Sequence, residues 1–304
     1  MGTAMGTAMG LPDGAHRDER PNGTGTIHTG TRRTGTVHVW LIRTDLPEAA
    51  VARLHSLLDE DESRRAAAPT NSDDRRRYTV AHAALRLILA HHLDAKAADF
   101  AWRVGPHGKP ELAGEWSGAT HFSLSGSGDL AMLAVSAKRR VGVDLQVLPH
   151  AVAAIRLARR FFPPAEADYV AAGGRALAAY RFAVLWARKE ACVKVHGGRL
   201  VDGLRLPVRQ ASRFTLDGRD GALPGVLQVT DLRCPSGFRA ALALDGDQAY
   251  RVVRHRWPDR SFDDSTFDVS TIGDPLTRTG EKQWPSGRAR SVSPSTARAP
   301  ASPR

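Results

Sequence analysis

Two long helical stretches, followed by strand-like runs on short turns, do most to constrain the fold of this chain. The first, DDRRRYTVAHAALRLILAHHL at 73–93, opens with acids and sets Val80, Ala84, Leu87 and Leu93 on or near one face. The second, ALAAYRFAVLWARKEACVKVHGG at 176–198, is longer and stops at Gly197-Gly198. Between them stand a hairpin pattern, THFSLSGSGDLAMLAVS at 120–136, a strand, VGVDLQVL at 141–148, and a helix broken and restarted at Pro163-Pro164. VHVWLIR at 37–43 reads as a strand ahead of the first helix, and GPHGKPEL at 105–112 reads as loop. RFTLDG, GVLQVTDLR, FRAALALD and YRVVRHRW follow the second helix as four strand-like runs. The order implies an α+β fold in two similar halves, with sheets expected to be antiparallel because the connections are short.

The flanks differ. Residues 1–36 are rich in Gly, Thr and Arg, and 258–304 in Ser, Pro, Arg and Thr; both have too few apolar residues to build a core and are expected to be disordered tails. The expected organisation is therefore a tail at 1–36, an N-terminal α+β subdomain at 37–138, a C-terminal α+β subdomain at 139–257 and a tail at 258–304. The net charge is +11, and the tails hold only 4 basic against 3 acidic and 7 basic against 6 acidic residues. The excess thus belongs to the folded part and points to an anionic partner: nucleic acid, an acidic protein or a phosphate-rich small molecule.

Several classes are disfavoured. Cys192 and Cys234 have neither CxxC nor Cys/His spacing, which argues against zinc and against a disulfide framework and fits a reducing cytoplasm. No apolar run approaches the ~18 residues of a membrane span. The N-terminal stretch has no apolar core of a secretory signal. No interleave of aromatic and basic residues and no reader motif supports nucleic-acid binding.

The chemistry lies in two places. Alternate residues of a strand share a face, so Asp144 and Gln146 of VGVDLQVL point the same way. Trp186, Glu190 and Lys194 follow one another at helical spacing in one stripe, with Glu190 before Lys194 in the favourable orientation. Taken singly, each has an ordinary reading: an acid binding backbone, or a surface ion pair beside a half-buried Trp. Together, an acid on a strand, an acid on a helix and a lysine one turn on are what a hard divalent cation and a phosphate need, since magnesium takes one or two carboxylates plus substrate phosphates. Counter-charge stands in Arg64, Arg65, Arg75, Arg76, Arg77 and Lys109, and SLSGSGD at 123–129 offers hydroxyl and backbone donors.

The set DDRRRYTVAHAALR, GKPEL, HFSLSGSGDLAMLAVS, VGVDLQ, FFPPAEADYV and WARKEACVKVHGGRL resembles, in order, the 4′-phosphopantetheinyl transferases of the surfactin-synthetase-activating (Sfp-like) type. The patterns G-[IV]-D and W-x-x-K-E-x-x-x-K are specific when both occur at this spacing. The resemblance implies two similar α+β subdomains in pseudo-twofold arrangement with coenzyme A between them. It also implies the reaction, holo-[acyl-carrier-protein] synthase chemistry: 4′-phosphopantetheine moves from coenzyme A to a serine hydroxyl of an apo acyl, peptidyl or aryl carrier protein, and 3′,5′-ADP leaves. Asp144 and Glu190 resemble the family's magnesium (Mg2+) ligands, with Gln146 where a Glu ligand is usual. Glu190 would serve the attacking serine and Lys194 the leaving phosphate. Lys109 and Pro110 match the coenzyme-binding GKP loop, Arg77 a residue that holds the 3′-phosphate, and Arg65 does so more loosely. Ser125 falls in the S-H-S segment and would touch the coenzyme, but Gly126 replaces that segment's His. These departures motivate an alternative, a paralogue that binds coenzyme A or carrier protein without turnover. A cytoplasmic monomer with no nucleic-acid or membrane partner completes the expectation.

Overall fold

A computed structural model describes residues 35–105, 108–198, 200–210, 212–216 and 225–258. The tails expected at 1–36 and 258–304 lie outside these residues but for their inner margins. The chain is mixed α/β, built on ten strands and seven α-helices among the described residues.

The strands are β1 (Gly35–Arg43), β2 (Trp102–Val104), β3 (Pro110–Leu112), β4 (His121–Ser127), β5 (Leu130–Ser136), β6 (Val141–Val147), β7 (Arg213–Leu216), β8 (Gly225–Leu232), β9 (Phe238–Asp245) and β10 (Tyr250–Trp257). The helices are α1 (Glu48–His55), α2 (Glu60–Ala67), α3 (Ser72–Leu93), α4 (Ala151–Phe161), α5 (Pro164–Ala171), α6 (Gly174–His196) and α7 (Leu200–Gly203). Asn71 caps α3 by accepting from the Asp73 N–H at 2.8 Å, and α6 ends where Gly197 turns left-handed at φ 70°.

Two four-stranded sheets form, in the orders β10-β1-β5-β4 and β6-β9-β8-β7, with β2 and β3 as a separate pair. Period-two alternation sorts their residues. Trp40, Ile42, Leu133 and Phe122 pack with Leu54 of α1 and Val80, Ala84 and Ile88 of α3. Leu227, Val229, Ala241 and Ala243 pack with Phe182, Leu185 and Ala191 of α6 and with Ala154 and Ala158 of α4. The opposite faces meet each other: Val37, Val39, Leu41, Met132 and Ala134 of the first sheet pack on Val141, Val143, Leu145, Leu242 and Leu244 of the second. β6 therefore turns its odd residues to the other sheet and its even ones, Gly142, Asp144 and Gln146, to the α6 side.

Three expectations change. All-antiparallel sheets do not form, because β10 pairs in parallel with β1, from Gly35 with Tyr250 to Ile42 with Trp257. Parallel partners need a long crossover, and here every element from α1 to β9 lies within it. The 139–257 segment thus ends in a strand that completes the first sheet. The expected loop at 105–112 contains β3, whose Pro110 pairs with Val104 at an edge, where a missing N–H costs no ladder bond.

Candidate active site

Gly142 sets the geometry. A Cβ on it would stand 2.0 Å from the carbonyl oxygen of Ala191 and 2.8 Å from the nitrogen of Val195. No other residue lets β6 lie so close against the backbone of α6. That approach puts the last turns of α6 over Asp144.

Four side chains converge there. Asp144 is buried, and its Oδ1 accepts from the Ser125 hydroxyl at 2.7 Å and from the Lys194 ammonium at 2.7 Å. Lys194 also donates to Ser125 Oγ at 3.0 Å and lies 3.5 Å from Glu190 Oε2. Burial pushes the Glu190 carboxyl above its ordinary value and the negative Asp144 adds to this, while Lys194 and Trp186 pull it back. Asp144 Oδ2 is buried and has no hydrogen-bond partner among the described residues. One ammonium thus serves two carboxylates, and a bare oxygen remains.

That arrangement suits a hard divalent cation. Such a cation would use the orphan Oδ2, balance the second carboxylate and ease the proton affinity of Glu190. Among the described residues no cluster of three or more His, Cys, Asp or Glu could enclose a metal, so the remaining ligands would have to be water and phosphate oxygen. Gln146 lies on the same face of β6, half-buried, and its Nε2 donates to the Val147 carbonyl at 2.8 Å. Opposite it on β9 stands Arg239, whose guanidinium covers the Tyr180 ring at 4.0 Å.

Lys109 joins the group from behind. Its ammonium donates to the carbonyls of Val141 at 3.0 Å, Lys194 at 2.5 Å and Val195 at 3.1 Å. It therefore ties the GKP loop to the C-terminal turn of α6 and the head of β6, where a cation also complements the helix dipole. Burial draws its pKa down to about 8. Pro110 follows at the start of β3. Arg77 donates to Asp129 Oδ1 at 3.0 Å and Asp74 Oδ1 at 2.8 Å, so its guanidinium is held between two carboxylates. Arg65 is exposed on the last turn of α2. Arg65 and Arg77 lie on α2 and α3, in the first half of the chain. At Gly126, where the family's histidine would stand, a Cβ would meet only the Leu130 carbonyl oxygen at 4.0 Å, so the space is open.

Comparison with known proteins bears on the same segment. Residues 140–242, from β6 into β9, match the model of the 4′-phosphopantetheinyl transferase superfamily. The 4′-phosphopantetheinyl transferase HetI of Nostoc is 33% identical over 162 residues, covering 53% of this chain and 68% of that protein. The slr0495 protein of Synechocystis, a candidate 4′-phosphopantetheinyl transferase, is 31% identical over 166 residues, covering 55% and 67%. The chain belongs to the 4′-phosphopantetheinyl transferase superfamily. A phosphopantetheinyl transferase of Thraustochytrium extends the likeness to 233 residues at 29% identity, covering 69% of this family member and 79% of that protein.

Membership gives the residues that sequence reasoning left without a role a structural context. Lys189, the first lysine of the W-x-x-K-E-x-x-x-K pattern, is fully buried with its Nζ 2.6 Å from Glu166 Oε2, and it donates to the Leu206 carbonyl. Glu166 Oε1 accepts from the Arg209 N–H at 2.8 Å. Only the apolar environment of FFPPAEADYV hinted that its Glu166 would be internal. Gly142 was legible as part of G-[IV]-D, but its reason, contact with another backbone, was not.

Proposed function

We propose that this protein transfers 4′-phosphopantetheine from coenzyme A to a serine hydroxyl of an apo carrier protein and releases 3′,5′-ADP, in a magnesium-dependent reaction of the Sfp-like type. The observation that carries this reading is the Asp144, Glu190, Lys194 and Ser125 cluster: two carboxylates to one ammonium, with Asp144 Oδ2 bare. Asp144 and Glu190 would hold Mg2+, with Gln146 beside them. When bound, the ion would neutralise pyrophosphate charge as a Lewis acid.

The chain's own groups do the rest. Glu190, with its carboxyl raised by burial, orients the carrier serine and takes the hydroxyl proton as the new O–P bond forms. The P–O bond to 3′,5′-ADP breaks, and Lys194 neutralises or protonates the leaving phosphate. Lys109 holds the turn of α6 that carries Lys194, and Arg77 and Arg65 supply positive charge for the 3′-phosphate. The net charge of +11 favours encounter with acidic acyl, peptidyl or aryl carriers. The two sheets, each backed by helices on its outer face, support a pseudo-twofold pair of subdomains meeting at this cluster. No helix among the described residues is long and apolar enough to cross a membrane, and we read the protein as a cytoplasmic monomer.

A second reading rests on Gly126 and Gln146: a paralogue that binds coenzyme A or carrier without turnover. Incubation with coenzyme A, Mg2+ and apo acyl, peptidyl and aryl carriers separates the two. The transferase reading predicts a carrier mass gain of about 340 Da. Coenzyme binding with no gain on any carrier would overturn it in favour of the paralogue.

A further inference from the structure

The edges of the two sheets meet along β4 and β6, and hydroxyls join them. Ser123, Ser125 and Ser127 stand at alternate positions of β4. Their Oγ atoms accept from the N–H groups of Val143 at 3.1 Å, Leu145 at 3.3 Å and Val147 at 2.9 Å. Both residue numbers rise by two together, so the strands run in the same direction. The three serines stand in for a missing strand-to-strand ladder, each satisfying one backbone donor of an edge strand.

Ser125 differs from its neighbours in one respect. Besides the Leu145 N–H, its oxygen accepts from Lys194 Nζ at 3.0 Å, and its proton goes to Asp144 Oδ1 at 2.7 Å. A hydroxyl has one donor and two acceptor lone pairs. All three are used within the protein, and nothing is left to offer a phosphate unless the Asp144 bond breaks. Ser123 makes the same rung, to the Val143 N–H, without holding a charged side chain among the described residues.

We propose that Ser125 is a positioning residue that fixes Asp144 and Lys194, rather than a contact to coenzyme A. The proposal rests on the transferase reading. By occupying Asp144 Oδ1, the hydroxyl leaves Oδ2 as the one atom of that carboxylate open to a cation. By accepting from Lys194, it holds the ammonium between Asp144 and Glu190. The seam between the sheets thereby sets the register of the site.

The test uses the full chain as wild type, Ser125→Ala and Ser123→Ala, since both variants lose one rung of the seam. Steady-state transfer to a carrier that the wild type accepts is measured with Mn2+ binding by electron paramagnetic resonance in the presence of coenzyme A. For Ser125→Ala we expect kcat to fall about 10- to 100-fold, Mn2+ binding to weaken several-fold and KM for coenzyme A to stay within about threefold. Ser123→Ala should stay within about threefold of wild type in all three. Should Ser125→Ala fail to fold, Ser125→Cys, which keeps the shape with a much weaker donor, is read in the same way. Equal effects of the Ser125 and Ser123 variants, or a rise in KM for coenzyme A with kcat and Mn2+ binding unchanged, would overturn the role of Ser125 alone. A wild type that neither binds coenzyme A nor transfers would instead overturn the transferase reading on which it depends.

Discussion

Helix α6 presents Lys189 and Lys194 from the same motif to opposite environments. Lys189 is fully buried and faces one carboxylate, Glu166, one carbonyl, Leu206, and the Phe162 ring. Lys194 keeps 28% of its side chain exposed and is shared between Asp144 and Glu190. The first matches one carboxylate to one ammonium, so its charges cancel, and such a pair holds structure. The second sets two carboxylates against one ammonium and is short of positive charge, which is what the proposed cation would supply. The difference lets one helix carry a support on one face and the proposed reaction centre on the other.

The largest expected effect lies on the open face. Glu190→Gln should lower transfer by at least ~10³-fold while coenzyme A still binds, because the proton acceptor is gone and most positioning remains. Near-native turnover, in the same carrier mass assay, would contradict that role. On the closed face, Lys189→Met should leave Glu166 buried without its cation and cost about 3–5 kcal/mol of stability. Urea unfolding checks this, and the folded fraction should keep its transfer rate per molecule. If Lys189→Met lost transfer without losing stability, the contrast between the two faces would fail.

A smaller effect is expected at the edge of the open face. Gln146→Glu adds a third carboxylate to the group and should tighten Mg2+ on the order of tenfold. An unchanged magnesium dependence would place Gln146 outside the metal's surroundings. The smallest concerns Lys109. Its folded pKa of about 8 lies below the ordinary 10.5. Between these values the unfolded chain binds a proton that the folded chain has released, so this group makes stability rise with pH across that window. Lys109→Met should flatten the rise, as read from urea midpoints at successive pH values; an unchanged slope would mean that the ammonium is not buried as described.

What the sequence showed follows from which forces are local. α3 and α6 were legible nearly to their ends, because apolar period, a leading acid pair and a terminal Gly-Gly are properties of adjacent residues. The alignment of Glu190 with Lys194, and of Asp144 with Gln146, follows from helix and strand periods alone. That Asp144 and Lys194 meet at 2.7 Å does not, since it depends on Gly142 admitting the α6 backbone. The parallel return of β10 to β1 and the Lys109 ammonium on three carbonyls were equally hidden, because their partners are set by tertiary packing. SLSGSGD reads from sequence as hydroxyl and backbone donors at a Gly/Ser turn, whereas Ser123, Ser125 and Ser127 stand at alternate positions of β4 and form the seam.

In the proposed reaction the Asp144 carboxylate on the open face of α6 receives a cation together with coenzyme A. Calorimetric titration of Mg2+ into the protein with coenzyme A, for wild type and Asp144→Asn, tests it most directly. Asn keeps the shape of the side chain and removes its charge. Mg2+ should bind the wild type and bind the variant at least ~10-fold more weakly. Equal affinity in the two proteins would contradict it.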